Sequence, residues 1–406
     1  RLTEFYLWMA VGGALGSCFN ALLAPVLFSW VVEYPLALSL AAFLLPPLFP
    51  STLTQARNPK SEIRNKSKIR TLKPSLGWVP FSNLEFRAWN LFRIFFARNF
   101  GFRILNRGVP IVLGCTVAAC FWLSRHQFVE KGQLAHEERT FFGVYRVVRD
   151  SEGKSCVLLH GQIWQGMQLQ TDERRTRRVP LLYYFPTSPI GQVFFAFHGP
   201  QGKARTALVG MGIGNLAGYS ESGQEFVFYE IDPGVARIAR DPRYFNYLED
   251  AEARGAAIKV VLGDGRLSLQ QDRSGRFGMI IVDAFSGDAI PTHLLTREAF
   301  QLYLDHLEPD GLLALHITND HVDLEPIVAE LALDQGLVAL IQADNRISLE
   351  ECQRGKAPST WVIIARQREH LEPLSDSPRW RPLQRRSSPI LWRDDYTNLW
   401  PILRWD

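Results

Sequence analysis

From Thr206 to Ala365 short apolar runs alternate with segments of helical character: TALVG, EFVFYEID, IKVVLGD, FGMIIVDAF, GLLALHIT and STWVIIA, each followed by a helix except the last. Strands that alternate with helices pair in parallel, because the chain must cross back over the sheet between them. The runs are apolar at nearly every position rather than at every second one, the pattern of strands covered on both faces. The sequence therefore predicts a doubly wound, mostly parallel α/β sheet over about 196–370. Ligands of such sheets gather beyond the carboxyl ends of the strands, so the residues at those ends matter most.

Beyond the first run stands Gly210-Met-Gly212-Ile-Gly214. Glycines there permit a tight turn and close approach of a ligand to backbone amides. The spacing is GxGxG, and Asn215 stands where a dinucleotide fingerprint has a small residue. Glu230 follows the second run, where a carboxylate can accept hydrogen bonds from both hydroxyls of a ribose. Asp232-Pro233 opens the next helix and is expected to take its N-cap, leaving Glu230 free. Asp264 ends the third run, suited to an adenine amino group. Asp283 ends the fourth, with Asp288 five residues on. No basic residue lies in the glycine loop to meet a phosphate. The ligand implied carries an adenine and a ribose with free hydroxyls but no pyrophosphate, a description that adenosyl-sulfonium compounds meet.

Ahead of the sheet, FFGVYRVVRD, CVLLHGQIWQGMQL and LLYYF read as short strands of a small β-rich subdomain at 126–195. Residues 5–32 carry no charge and are long enough to cross about 30 Å of hydrocarbon as a helix. A shorter apolar run follows at 34–49, so 1–50 is read as transmembrane. Residues 51–125 form a basic linker: 51–107 hold twelve Lys and Arg against Glu62 and Glu85. Its first part has the composition of a disordered segment, and AWNLFRIFFARNFGFRIL suits a helix lying in the membrane interface as well as one packed on protein. The apolar run 109–123 is short for a span, and the positive-inside rule puts the basic linker in the cytoplasm. The sequence begins at Arg1 and is read as a piece or a processed product. A tail at 371–406 is rich in Arg, Pro and Trp. The net charge of +4 comes from the linker and gives no reason to expect nucleic acid. The five cysteines form no CxxC pair and suggest neither a disulfide framework nor a metal site.

ALVGMGIGNLAGY, FVFYEIDPGVARIARDPRYF, VVLGDGRLSL, IIVDAFSGDAIPTHLLTREAFQLYLDHLEPDGLLALHITN and WRDDYTNLWPIL together resemble the bacterial proteins that fuse a transporter-like membrane half to a spermidine synthase-like half. The likeness to spermidine synthase runs over about 139–405, and the N-terminal runs resemble the last spans of the membrane half, here truncated. The resemblance implies a Rossmann-like class I methyltransferase/spermidine synthase fold with a small N-terminal β subdomain. It implies decarboxylated S-adenosylmethionine as co-substrate, held by Gly210, Gly212, Gly214, Glu230 and Asp264, and a polyamine as acceptor. Asp283 matches the first Asp of the catalytic DxxDP motif, with Asp288 as its partner in catalysis. Gln168 and Tyr184 are the residues expected near the amine.

Departures fall on the amine side: Asp283 and Asp288 are five apart rather than three, Asn215 replaces an acid of the glycine loop, and Tyr183-Tyr184-Phe185 lacks a His. An S-adenosylmethionine-dependent methyltransferase and a non-catalytic nucleoside-binding module attached to the membrane therefore stand as alternatives. His293 and His316, near strand ends, are candidates for acid–base work, though a lone His there more often only hydrogen-bonds. His160 and Trp164 could border the amine pocket or simply pack. The expected place is the inner membrane, in contact with lipid through the N-terminal helices, with the sheet domain in the cytoplasm. A homodimer is one expected assembly, and no transport is expected from so short a membrane part.

Overall fold

The computed structural model describes residues 2–28, 31–43, 112–120, 132–199, 202–285, 290–375 and 377–404. Most of the basic linker, its interfacial segment and Asp288 lie outside the described residues. Two compact units appear, one of residues 1–30 with 129–406, the other of residues 31–128.

In the smaller unit, helix Glu33–Phe43 and a helix over 112–120 are described, and the Ser39 hydroxyl donates to the Gly114 carbonyl at 3.3 Å. The larger unit begins with one apolar helical run, Thr3–Leu27, with a mean hydropathy of 1.6. Its middle turn, Phe19–Leu23, widens into a π-helix. Length and composition suffice for a membrane span.

Four antiparallel strands make the β subdomain in the order β1 (Gly132–Arg139), β2 (Val144–Asp150), β3 (Ser155–His160), β4 (Ile163–Leu169). Two expectations change here. CVLLHGQIWQGMQL is two strands, because Gly161 adopts a φ of +61° and turns the chain. LLYYF is not a strand: Leu182 has a φ of +59°, which breaks an extended run, and its neighbours are apolar because they are buried in a turn.

The main sheet contains β5 (Arg205–Val209), β6 (Glu225–Glu230), β7 (Ala257–Leu262), β8 (Phe277–Val282), β9 (Leu307–His316), β10 (Val338–Asp344), β11 (Ser359–Ala365) and the two-residue β12 (Arg381–Pro382). Their order is β12-β10-β11-β9-β8-β5-β6-β7, with β5 to β9 parallel and β10 to β12 antiparallel. This is the Rossmann-like class I methyltransferase/spermidine synthase arrangement. Strand β10 was missed in the sequence, where one helix was expected between GLLALHIT and STWVIIA. VALIQAD follows that helix after a glycine turn at Gly336.

Alternation along the strands divides the core into two layers. Val209, Tyr229, Val282, Leu315 and Ile364 face one set of helices. Leu208, Phe228, Ile281, Ala314 and Ile363 face the other. A third cluster packs Tyr145, Val147 and Leu158 of the subdomain against Ile213, Ile238 and Phe245. The subdomain is thus seated on the glycine loop. The tail contributes to both layers, burying Trp392 completely in the first and Trp380 in the second, and pairs β12 with β10.

Candidate active site

The sheet order places β8, β5, β6 and β7 side by side and parallel, so their carboxyl ends form one rim. At about 4.8 Å per strand the rim spans roughly 15 Å, the scale of an adenosine with a short chain on its sulfur. Backbone hydrogen bonds continue past the strand ends: Asp283 N donates to Val209 O, Gly210 N to Tyr229 O and Gly263 N to Glu230 O, each at 2.9 Å. The structure thus brings Gly210, Glu230, Asp264 and Asp283 together.

The glycine loop needs its glycines for space as well as torsion. Gly210, Gly212 and Gly214 have φ values of +96°, +52° and +76°. A Cβ on Gly210 would collide with the Asp283 carbonyl, and one on Gly212 would lie 2.9 Å from the Gln165 carbonyl. Asn215 opens the following turn, buried, with its amide directed at the Met167 carbonyl at 3.4 Å.

Glu230 is buried, and each of its oxygens holds a backbone amide: Met211 N at 3.0 Å and Asp232 N at 2.8 Å. Asp232 does take the N-cap, accepting from Gly234 N at 2.8 Å. Glu230 is therefore not left wholly free, but each carboxylate oxygen has a second lone pair for a ribose hydroxyl. Burial pushes its pKa up to about 7, against the pull of the amides. Asp264 caps the helix Gly265–Gln271 by accepting from Leu267 N at 2.9 Å, while its other oxygen faces His293 Nε2 at 3.3 Å.

Asp283 is the most elaborately held acid. Its Oδ2 accepts the Tyr184 hydroxyl at 2.7 Å, and its Oδ1 lies 2.7 Å from Nδ1 of His316. Burial, then the Asp283 charge, drive the Tyr184 hydroxyl well above its ordinary range, so it stays a donor. Tyr183, Phe285 and Trp361 surround the imidazole. These rings bury the imidazole against the Asp283 carboxylate, whose negative charge suits an alkylammonium.

Gln168 is fully buried and spent on structure: Oε1 accepts Asn246 N at 2.7 Å and Nε2 donates to the Arg177 carbonyl at 3.1 Å. His160 stacks on Tyr145 with centroids 4.7 Å apart, and Trp164 is exposed. Thr318 and Trp361 carry part of the site and were not read from the sequence. Thr318 lies two residues beyond His316, the spacing that returns a side chain to the same face. Trp361 is brought in by pairing across β11, which no local pattern signals. Among the described residues, no group of three His, Cys, Asp or Glu side chains converges as metal ligands would.

No family model matches the chain. Over 211 residues it is 33% identical to a polyamine aminopropyltransferase of Vibrio vulnificus (strain CMCP6). That stretch is 50% of this chain and 65% of the relative, so the chain spans just under two thirds of the relative's length. The region is spermidine synthase-like. Among solved structures, a probable spermidine synthase from Corynebacterium glutamicum ATCC 13032 aligns with a TM-score of 0.41 at 16% identity, over 64% of this chain and 97% of that one. The spermidine synthase from Thermotoga maritima gives 0.38 at 14% identity, over 63% and 81%. These superpositions are loose and add nothing to what the sheet order establishes.

Proposed function

We propose that the sheet domain transfers the aminopropyl group of decarboxylated S-adenosylmethionine to a diamine such as putrescine. The observation that carries the reading is the Asp283 carboxylate, fixed by Tyr184 at 2.7 Å on the rim beside the glycine loop. The similarity to a polyamine aminopropyltransferase over half the chain supports it.

Gly210, Gly212 and Gly214 let the nucleoside approach the backbone, Glu230 accepts the ribose hydroxyls, and Asp264 faces the adenine side. Asp283 takes a proton from the attacking ammonium, exposing the nitrogen lone pair. The nitrogen attacks the aminopropyl carbon in line. The new C–N bond forms as the C–S bond breaks, and the bonding pair returns to sulfur as a neutral thioether. Alignment of the two reactants supplies much of the acceleration. Asp288, outside the described residues, is proposed to hold the diamine with Asp283. Both ends of the Gln168 amide are already engaged, so its share in the reading is to brace the subdomain against the loop at Asn246.

The run Thr3–Leu27 supports attachment to the inner membrane, with lipid around that helix and the sheet domain in the cytoplasm. One observation favours a second reading, methyl transfer from S-adenosylmethionine: Asn215, not an acid, stands where the aminopropyl amine would need a counter-charge.

Calorimetric titration of the full-length chain in detergent with decarboxylated S-adenosylmethionine and, separately, S-adenosylmethionine tests the assignment. Preference for the decarboxylated compound, weakened by Glu230→Ala or Asp264→Ala, is expected. Preference for the carboxylated one would move the assignment to a methyltransferase, and binding of neither by folded protein would leave a non-catalytic module.

A further inference from the structure

His316 has a part in this site that the acid–base chemistry above does not use. It is the last residue of β9, and the parallel register of Val282 with Leu315 sets it beside Asp283. The antiparallel register of β11 sets Trp361 directly across from it. The imidazole lies on the indole with centroids 4.4 Å apart and planes 3° apart. Phe285 meets it edge-on at 5.0 Å, and Tyr183 is tilted against it at 5.5 Å. The side chain is 4% exposed and that of Asp283 is 9% exposed. Among the described residues, Asp283 and Thr318 meet its two nitrogens, and the Tyr184 hydroxyl reaches the other oxygen of the same carboxylate.

The hydrogen-bond chain around the ring has a direction. The backbone amide of Thr360 donates to Thr318 Oγ1 at 2.8 Å. Thr318 Oγ1 lies 2.7 Å from His316 Nε2. Having accepted one N–H, the Thr318 hydroxyl keeps its own proton to donate, and giving it to Nε2 leaves the ring hydrogen for Nδ1, where the Asp283 carboxylate can only accept. A neutral imidazole that accepts at one nitrogen carries its hydrogen on the other. Nδ1 then donates to Asp283 Oδ1 at 2.7 Å. The opposite tautomer would aim a bare lone pair at a carboxylate oxygen. An imidazolium would instead make Thr318 accept two N–H groups and turn its own proton away from the ring.

We propose that Thr318 and His316 are positioning residues for Asp283: Thr318 fixes the tautomer with hydrogen on Nδ1, and that N–H, opposite the Tyr184 hydroxyl, fixes the plane of the Asp283 carboxylate toward the amine. The tautomer is a property of the protein alone; the kinetic consequence rests on the aminopropyl-transfer reading.

Two-bond nitrogen–proton spectra of the full-length chain with 15N-labelled histidine test it, with His316 assigned from its loss in His316→Asn. The expected wild-type pattern has Nδ1 protonated and Nε2 bare. Thr318→Val is expected to disturb that pattern and Thr318→Ser to keep it. In aminopropyl transfer, His316→Leu is expected to lose about 10- to 100-fold in kcat, the worth of a hydrogen bond to a charged group, with the KM for decarboxylated S-adenosylmethionine little changed. His316→Asn, whose amide nitrogen can reach the place of Nδ1, is expected to recover part of that loss. A wild-type spectrum with hydrogen on Nε2, or on both nitrogens, would overturn the proposal. So would equal losses in His316→Leu and His316→Asn when both are folded. Should Thr318→Val fail to fold, the wild-type and Thr318→Ser spectra decide. A wild-type chain that transfers nothing would sink the proposed function, while the spectra would still decide the tautomer.

Discussion

The Met211 amide donates to Glu230 Oε2 at 3.0 Å across nineteen residues of sequence. This bond ties the glycine loop to the acid at the end of the neighbouring strand, so loop shape and ribose recognition are one unit. The same carboxylate also receives the Asp232 amide, which starts the next helix. A ligand whose hydroxyls reach Glu230 therefore bears on three backbone segments at once.

Burial of this carboxylate yields a pH dependence with a defined sign. Its pKa is raised from 4.5 to about 7 on folding. Between those values the folded protein holds a proton that the unfolded chain has released. Its contribution to stability is full below about pH 4.5 and is lost as the pH rises through about 7, on the order of 3 kcal/mol in all. Nucleoside affinity should run the other way, since ribose hydroxyls donate best to the ionised form: it should rise toward pH 7 and level off above. Thermal midpoints and calorimetric affinities from pH 5 to 8, for wild type and Glu230→Gln, check both trends. Parallel curves for the two proteins would remove Glu230 as the cause.

Gly210→Ala should be far costlier than a typical glycine replacement. The residue sits at a φ of +96°, and its Cβ would run into the Asp283 carbonyl. Strain and displacement together should cost about 1–3 kcal/mol and shift Asp283 with the loop. Chemical denaturation should show the loss, and binding of decarboxylated S-adenosylmethionine should weaken in protein that remains folded. Unchanged binding would mean that the loop does not meet the ligand.

Much of this site was legible because it lies at strand ends that apolar runs mark out. Gly210, Glu230, Asp264 and Asp283 each follow such a run, and parallel order alone makes them neighbours. Asp232 was read as a cap from its Pro233 and is one. What escaped depends on long-range pairing. Trp361 reaches His316 only through an antiparallel register, and Gln168 spends its amide on loops that pack against it only once the fold is made. LLYYF shows the limit of apolar content as a strand signal, since burial in a turn demands the same residues.

Tyr184→Phe should separate catalysis from packing. The ring would stay in its buried place, edge-on to both Trp361 and His316, but Asp283 Oδ2 would lose its donor. The loss of a hydrogen bond to a charged acceptor, about 1.5–3 kcal/mol, should appear in kcat for aminopropyl transfer, at roughly 10- to 100-fold. Nucleoside affinity should hold, because Tyr184 contacts the acid of the amine side. Steady-state kinetics with both substrates varied distinguishes this from a fall in nucleoside binding, which would place Tyr184 on the wrong side of the reaction.

The tail, to which the sequence assigned no role, should prove to support the adenine side. Arg266 follows Asp264 by two residues and grips Asp394 through two hydrogen bonds of 2.7 Å each, while Thr296 donates to the same carboxylate at 2.7 Å. Beside it, Trp392 is fully buried, and its carbonyl accepts the Arg297 amide at 2.9 Å. The pair with Arg266 holds the pKa of Asp394 below the ordinary carboxylate range, so the clamp should loosen at low pH as Asp394 takes up a proton. Trp392→Ala should cost about 3–5 kcal/mol through its cavity. Asp394→Ala should cost less in stability. It would still free the first turn of the helix that Asp264 caps, weakening nucleoside affinity several-fold while leaving the KM for the diamine near wild type. Denaturation curves read the first effect and calorimetry the second. An Asp394→Ala protein with wild-type nucleoside affinity would reduce the tail to a cover for the core.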